Sequence, residues 1–316
     1  SAFEYELPES ELAFINMVEP YGGATIVNGS RAKISWFSNN IQSFNIYYSK
    51  DNKQNWHLIE SNYSSSLNNY NWLVPLGTTD SCFIKLEDAS NSQLFITNVE
   101  PIKITNLEST NLISPTNNSV NYDHEPARFE WGKTNGTQYY SLKIATDSAF
   151  TNIVYLDSLI ENNTVEVNLL QGYQNYYWSV STRNELIPEI FSSIYKFKTM
   201  MSKPMLVYPE HEAVNIPLNV NLKWNNVNGA EKYHLQVAKS IFFGASQTFV
   251  NDSNIVSNEY PLNGLQNNKF YYWKVRAVNS ESASKYSTIN KFKTTDITGI
   301  TDNNLEIPTT FELLAN

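Results

Sequence analysis

Alternation with period two dominates this chain. Asn219-Val220-Asn221-Leu222-Lys223-Trp224 puts Val220, Leu222 and Trp224 on one face and polar partners on the other, as a half-buried strand requires. Asn226 to Ala230 is a turn-rich break, and Tyr233-His234-Leu235-Gln236-Val237-Ala238 then alternates again. In Tyr271-Tyr272-Trp273-Lys274-Val275-Arg276-Ala277 the odd positions share an apolar face, while Lys274 and Arg276 point to water. Lys291-Phe292-Lys293-Thr294 reads as a short closing strand. The same order occurs earlier, as Arg128-Phe129-Glu130-Trp131, Tyr140 to Ile144, Tyr176 to Thr182 and Lys196 to Thr199. A more divergent copy runs through Lys33-Ile34-Ser35-Trp36, Phe44 to Tyr48 and Cys82 to Leu86. Sustained helical periodicity is absent; Glu11 to Met17 comes nearest and is short.

The copies are regularly spaced. Pro20, Pro115 and Pro209 precede Trp36, Trp131 and Trp224, and the tryptophans lie 95 and 93 residues apart. A solenoid unit is about 20–45 residues, whereas one immunoglobulin-like sandwich is about 100. The pattern therefore predicts three tandem β-sandwiches with Greek-key connections. The 316 residues are enough for three such cores. A single cysteine excludes an intrachain disulfide framework. Cys82 lies 46 residues after Trp36, and Trp178 lies 47 after Trp131, so Cys82 is expected in the core as a small, inert hydrophobe. A reactive thiol would need a cation or helix end beside it.

Only 17% of residues are charged, and the net charge is −9 with no basic tract, which excludes a phosphate-binding footprint and argues against nucleic acid as a partner. No apolar run approaches the roughly 20 residues of a membrane span. The chain opens at Ser1 without an initiator Met or signal peptide, and reads as a processed piece of a longer precursor.

Trp131 and Trp224, with Leu170 six residues before Tyr176 and Leu265 six before Tyr271, resemble the second strand and tyrosine corner of fibronectin type III domains. The ends Tyr195 to Thr199 and Asn290 to Thr294 are similar to the closing strand of bacterial versions. The first copy resembles another immunoglobulin-like repeat of secreted Bacteroidetes proteins. It does so through Ile34-Ser35-Trp36, Ile46 to Asn52 with Trp56, Tyr70 to Pro75 and Cys82 to Asp88, with Lys53 where that family has a turn glycine. Thr298 to Asn304 followed by Ile307 to Leu313 resembles the lead-in to a type IX secretion sorting domain, which would continue past Asn316. The expected organisation is an N-terminal extension over 1–17 and an immunoglobulin-like module over 18–105. Fibronectin type III-like modules follow over 106–200 and 201–296, with a tail over 297–316.

Candidate chemistry is sparse. His57, His124, His211 and His234 have no metal-ligand spacing, and His234 reads as a solvent-facing strand residue. Asp51-Asn52 beside Asn55 lacks the glycine hinge and terminal Glu of a calcium loop, and reads as a hairpin turn over Trp56. No nucleophile elbow, phosphate loop or dinucleotide fingerprint is present. No catalytic, cofactor or metal residue is therefore assigned, and the chain is expected not to be an enzyme. In the doublets Tyr47-Tyr48, Tyr139-Tyr140, Tyr176-Tyr177 and Tyr271-Tyr272, one ring should enter the core and one face outward. The outward ring serves as a cross-strand partner or as a sugar- or protein-binding surface. Asn-x-Ser/Thr triplets begin at Asn28, Asn62, Asn117, Asn135, Asn162 and Asn251. Asp147-Ser148-Ala149 and Asp157-Ser158-Leu159 resemble the O-glycan acceptor pattern of Bacteroidetes secreted proteins.

The resemblance implies a secreted or cell-surface array that is structural or adhesive. One form is a fibre subunit assembled by β-strand pairing, since Phe3, Tyr5 and Leu7 alternate with polar residues. The alternatives are a C-terminal spacer of a secreted hydrolase or peptidase, and a carbohydrate-binding array. Expected partners are further copies of the chain, other surface proteins and polysaccharide.

Overall fold

A computed structural model describes residues 12–296; the alternation over Phe3–Leu7 and the tail from Ile297 lie outside them. Among the described residues the chain is all-β, without an α-helix, and so without a helix long and apolar enough to cross a membrane. The strands form three two-sheet sandwiches in tandem.

The first contains β1 (Phe14–Glu19), β2 (Thr25–Val27), β3 (Arg31–Asn39), β4 (Ser43–Ser49), β5 (His57–Ser64), β6 (Asn69–Leu73), β7 (Thr79–Asp88), β8 (Asn91–Thr97) and β9 (Ile102–Thr105). Sheet β1-β3-β6 is joined through the core to β2-β9-β7-β4-β5, with β8 added to β7. The second contains β10 (Leu112–Ser114), β11 (Ser119–Tyr122), β12 (Ala127–Trp131), β13 (Tyr139–Ala145), β14 (Ile153–Ile160), β15 (Thr164–Val167), β16 (Asn175–Arg183), β17 (Ile190–Phe191) and β18 (Tyr195–Thr199). Its sheets are β10-β12-β15 and β11-β18-β16-β13-β14, with β17 on β16. The third contains β19 (Leu206–Tyr208), β20 (Ala213–Ile216), β21 (Val220–Trp224), β22 (Lys232–Ala238), β23 (Thr248–Ile255), β24 (Glu259–Leu262), β25 (Phe270–Val278) and β26 (Asn290–Thr294). Its sheets are β19-β21-β24 and β20-β26-β25-β22-β23. Phe14–Met17, the end of the stretch that comes nearest to helical periodicity, belong to β1 and pair with β3.

Each core repeats one arrangement. Trp36, Trp131 and Trp224 are buried on β3, β12 and β21, each edge-on to an inward aromatic near the start of the next strand. The ring centroids are 5.3 Å apart for Phe44, 5.6 Å for Tyr140 and 5.4 Å for Tyr233. Edge-to-face pairing suits the opposed charge of ring face and ring edge. The phenols tie down the turn just passed: Thr134 N donates to Tyr140 Oη at 2.9 Å, and Val227 N to Tyr233 Oη at 3.0 Å. Gln266 N donates to Tyr271 Oη at 3.0 Å, which is the tyrosine corner of the third sandwich. Cys82 sits fully buried with Ile84 and Leu86 on the core face of β7. The turn after β4 uses two left-handed residues, Asn52 (φ 57°) and Lys53 (φ 69°), the latter where the resembling repeat has a turn glycine.

By contact density the chain forms two compact units. One comprises the described residues up to Ser119 with Glu125–Leu170 and Asn175–Phe197. The other comprises Val120–His124, Gln171–Gln174 and the described residues from Lys198.

Candidate interaction surfaces

In the first unit, the features outside the cores concentrate where the turn after β2 meets the turns of the second sandwich. Gly29 (φ +72°) follows Asn28, and Gly136 (φ +74°) follows Asn135, each in a conformation that side chains other than glycine resist. Both are also tight. A Cβ on Gly136 would lie 2.4 Å from the Cβ of Val27, and one on Gly29 would lie 2.5 Å from Asn184 Oδ1. Asn184, just past β16, clamps the contact. Its Nδ2 donates to Asn28 O at 2.9 Å, and its Oδ1 accepts from Leu186 N at 3.2 Å and Ile187 N at 2.9 Å. Beside it Arg31 grips both oxygens of Glu185 at 2.8 Å through Nε and Nη2. The pair is solvent-exposed, so it contributes orientation more than stability.

A groove of about 680 Å³ runs beside this clamp, lined by Glu19, Tyr21, Lys33, Thr137, Gln138 and Glu185 among others. Glu19 accepts from Ser35 Oγ at 2.9 Å and meets Lys33 Nζ at 3.1 Å. The Lys33 hydrogen bond, then that of Ser35, holds the Glu19 carboxyl below its ordinary pKa. The groove thus presents fixed, paired charges and amides around an exposed tyrosine. That chemistry suits contact with a polar partner.

The second unit repeats the device. Gly229 (φ +80°) follows Asn228, and a Cβ there would lie 2.1 Å from the ring of Tyr173. Asn279, just past β25, donates to Gly229 O at 3.0 Å and accepts from Glu281 N and Ser282 N. Glu281 meets Lys198 at 3.0 Å, and Lys198 lies 3.7 Å over the Tyr173 ring. The signal in the sequence is the Asn-Gly pair at 135–136 and 228–229, with Asn184 and Asn279 ending the long strands. Read singly, each looks like an ordinary turn.

The tyrosine doublets divide as the pleat requires. Tyr140, Tyr176 and Tyr271 are buried, and Tyr48 leans on Trp72 at 5.5 Å. Three of the outward rings have cation partners: Lys85 lies 4.3 Å over Tyr47, Arg183 5.4 Å over Tyr139 and Lys196 5.9 Å over Tyr177. Tyr272 is in register with Lys291, whose ammonium lies over Phe270 instead. The three capped rings are cross-strand partners first, and their outer faces are not free stacking platforms.

The remaining residues singled out by the sequence are scattered. Among the described residues no group of three or more His, Cys, Asp or Glu is placed to hold a metal ion. His57 stacks on Tyr48, His211 Nδ1 accepts from Lys291 N, and His124 meets Ser202 at 3.0 Å. His234 faces outward but is half-buried, hydrogen-bonded to Tyr286 and Asn251. Asp51 organises its turn by accepting from Ser49 Oγ, Asn55 N and Asn55 Nδ2, which hold its carboxyl down at about 2. Burial pushes the Cys82 thiol up to about 12. Asn28 is buried and donates to Asn106 Oδ1, so it has no room for a glycan; Asn62, Asn117, Asn135, Asn162 and Asn251 are exposed.

Comparison with known proteins finds no matching family and no matching curated protein. Among solved structures the chain is similar to the crystal structure of chicken CNTN1 FN1–FN3 domains. The identity is 13%, covering 90% of this chain and 98% of that one, with a TM-score of 0.28.

Proposed function

We propose that this chain is an extracellular structural or adhesive module array that holds the elements of each compact unit in fixed register. The observation that carries this reading is the repeated clamp of Gly136, Asn184 and Glu185, and of Gly229, Asn279 and Glu281. A freely hinged string of modules has no use for glycines seated under a neighbouring side chain. The low charged fraction supports a place outside the cell, and the resemblance of the tail to a type IX sorting lead-in supports export by that route.

Assembly into a fibre by β-strand addition is favoured by β14. It ends its sheet and exposes Ile153, Val154, Leu156 and Leu159, with neither Lys nor Pro to block pairing. The corresponding edge strands β5 (HLIESNYS) and β23 (TFVNDSNI) are more polar. Light scattering and negative-stain electron microscopy of the full chain test this. Concentration-dependent oligomers that Leu156→Lys abolishes are expected; a monomer at every concentration would remove the fibre. Limited proteolysis tests the array itself, and rapid cleavage within 106–111 of the native chain would contradict a fixed register.

A further inference from the structure

The strands of the larger sheet in the third sandwich carry Lys232, Lys274, Arg276, Lys291 and Lys293. Their only acidic residue is Asp252, paired with the buried Leu235. In a chain of net charge −9 such a face needs a reason. Lys274 and Arg276 point the same way from β25, two residues and so about 7 Å apart along a strand. Neither has a carboxylate partner among the described residues, whereas Lys223 has Glu259 and Lys198 has Glu281. Arg276 Nε is buried without any acceptor. Two like charges side by side on one sheet face cost stability. In the second sandwich the same places, flanking Val180 rather than Val275, hold Ser179 and Ser181. Those hydroxyls meet Ser192 and Glu189.

The surroundings fix these cations in place. Tyr286 lies under both, 4.5 Å from Lys274 and 5.0 Å from Arg276, and Phe243 lies 4.3 Å from Lys274. The Tyr286 hydroxyl meets His234 Nδ1 at 2.9 Å, and His234 Nε2 meets Asn251 Oδ1 at 2.7 Å. One tautomer satisfies both, with the phenol donating to Nδ1 and Nε2–H donating to Asn251. Gln236 Nε2 also donates to Asn251 Oδ1, at 3.2 Å. The acceptors His234 Nδ1 and Asn251 Oδ1 are thus spent inside the cluster. Asn251 Nδ2, the Lys274 ammonium and the Arg276 guanidinium remain as donors, with Gln236 Oε1 as an acceptor beside them.

We propose that this face of the third sandwich binds an acidic polysaccharide, with carboxylates of the sugar chain seated on Lys274 and Arg276 and its hydroxyls on Asn251 and Gln236. A carboxylate supplies the missing acceptor for both cations, and charge-assisted hydrogen bonds are the strong ones. Neutral amides beside the cations match the hydroxyls that separate the charges on a uronate chain. Nucleic acid is disfavoured because the ring faces of Tyr286 and Phe243 are already occupied by cations and cannot stack on bases. Burial, and then the charge of Arg276, hold the Lys274 ammonium below its ordinary pKa, a cost that a bound anion relieves. The inference takes from the proposed function only that the chain lies outside the cell; loss of either clamp or fibre leaves it intact.

Affinity electrophoresis of the full chain through gels containing alginate, neutral dextran or single-stranded DNA tests it. Retardation by alginate is expected, weakening as salt rises, with none by dextran. Lys274→Ser with Arg276→Ser, the residues the second sandwich carries, should raise the apparent Kd for alginate at least tenfold while thermal unfolding stays cooperative. Lys274→Gln with Arg276→Gln is the second variant should the first not fold. Lys103→Ser with Lys133→Ser removes the same charge from the first two sandwiches and should change binding less than twofold. No retardation by alginate, an equal loss in the Lys103/Lys133 variant, or retardation by DNA as strong as by alginate would each overturn the assignment.

Discussion

Asn184 Nδ2 donates 2.9 Å to the main-chain oxygen of Asn28, a bond between residues 156 positions apart that is buried at both ends. The same amide caps its own loop through Leu186 N and Ile187 N, so loop and junction are set by one side chain. Asn184→Ala strands the Asn28 carbonyl and two amides, and should destabilise the first unit by about 1–3 kcal/mol. Urea unfolding of the full chain measures it. Amide hydrogen exchange at Leu186 and Ile187 should accelerate with it, and an unchanged midpoint with unchanged exchange would show that the clamp contributes nothing.

Gly136 and Gly264 separate two effects that glycine usually confounds. Both have strongly positive φ, +74° and +76°, but a Cβ on Gly264 meets nothing within 4 Å, whereas one on Gly136 runs into Val27. Gly264→Ala should cost only the left-handed penalty of about 1–2 kcal/mol. Gly136→Ala should cost clearly more, and Val27→Ala in the same chain should recover part of the difference. Equal losses at the two glycines would mean that the approach to Val27 is not tight in solution.

These junction residues show where sequence reading stops. Alternation betrays strands because each strand records its two faces in neighbouring residues, and the spacing of Cys82 from Trp36 was enough to place the thiol in the core. That one ring of each tyrosine doublet turns inward and the other outward follows for the same reason. The cation caps were not legible, because Lys85 reaches Tyr47 from β7 and Arg183 reaches Tyr139 from β16. Phe14–Met17 looked nearly helical because a short window fits either period. Pairing with β3, distant in sequence, makes it strand, with Ile15 and Met17 packed on the core. Asn135-Gly136 announces a turn, but what the turn touches is decided by another sandwich.

Asp51 gives the turn after β4 a pH dependence. Its carboxyl titrates at about 2 in the folded chain and near its ordinary 3.8 once unfolded, because Asn55 and Ser49 hydrogen bonds favour the ionised form. A depressed folded value means that this stabilisation is whole above the unfolded pKa and is lost as pH falls from about 4 towards 2. Asp51→Asn should lower the thermal midpoint at pH 7 and flatten its fall between pH 4 and 2 relative to the parent chain. Parallel midpoint curves for the two proteins across that window would exclude the assignment.

Trp36 and Trp131 occupy the same place in successive sandwiches, but only one indole is satisfied. Trp36 Nε1 donates to Ser65 O at 3.0 Å, while Trp131 Nε1 is buried with no acceptor. Packing is closely matched, since each ring meets an aromatic edge at 5.3 or 5.6 Å and both are essentially inaccessible. Replacement by Phe therefore removes similar volume at both sites. At Trp36 it also breaks a buried hydrogen bond worth about 1 kcal/mol, whereas at Trp131 it removes a buried donor that was itself a liability. Trp36→Phe should be the more destabilising by about 1–2 kcal/mol in urea unfolding followed by circular dichroism. The opposite order would place an acceptor on the Trp131 indole.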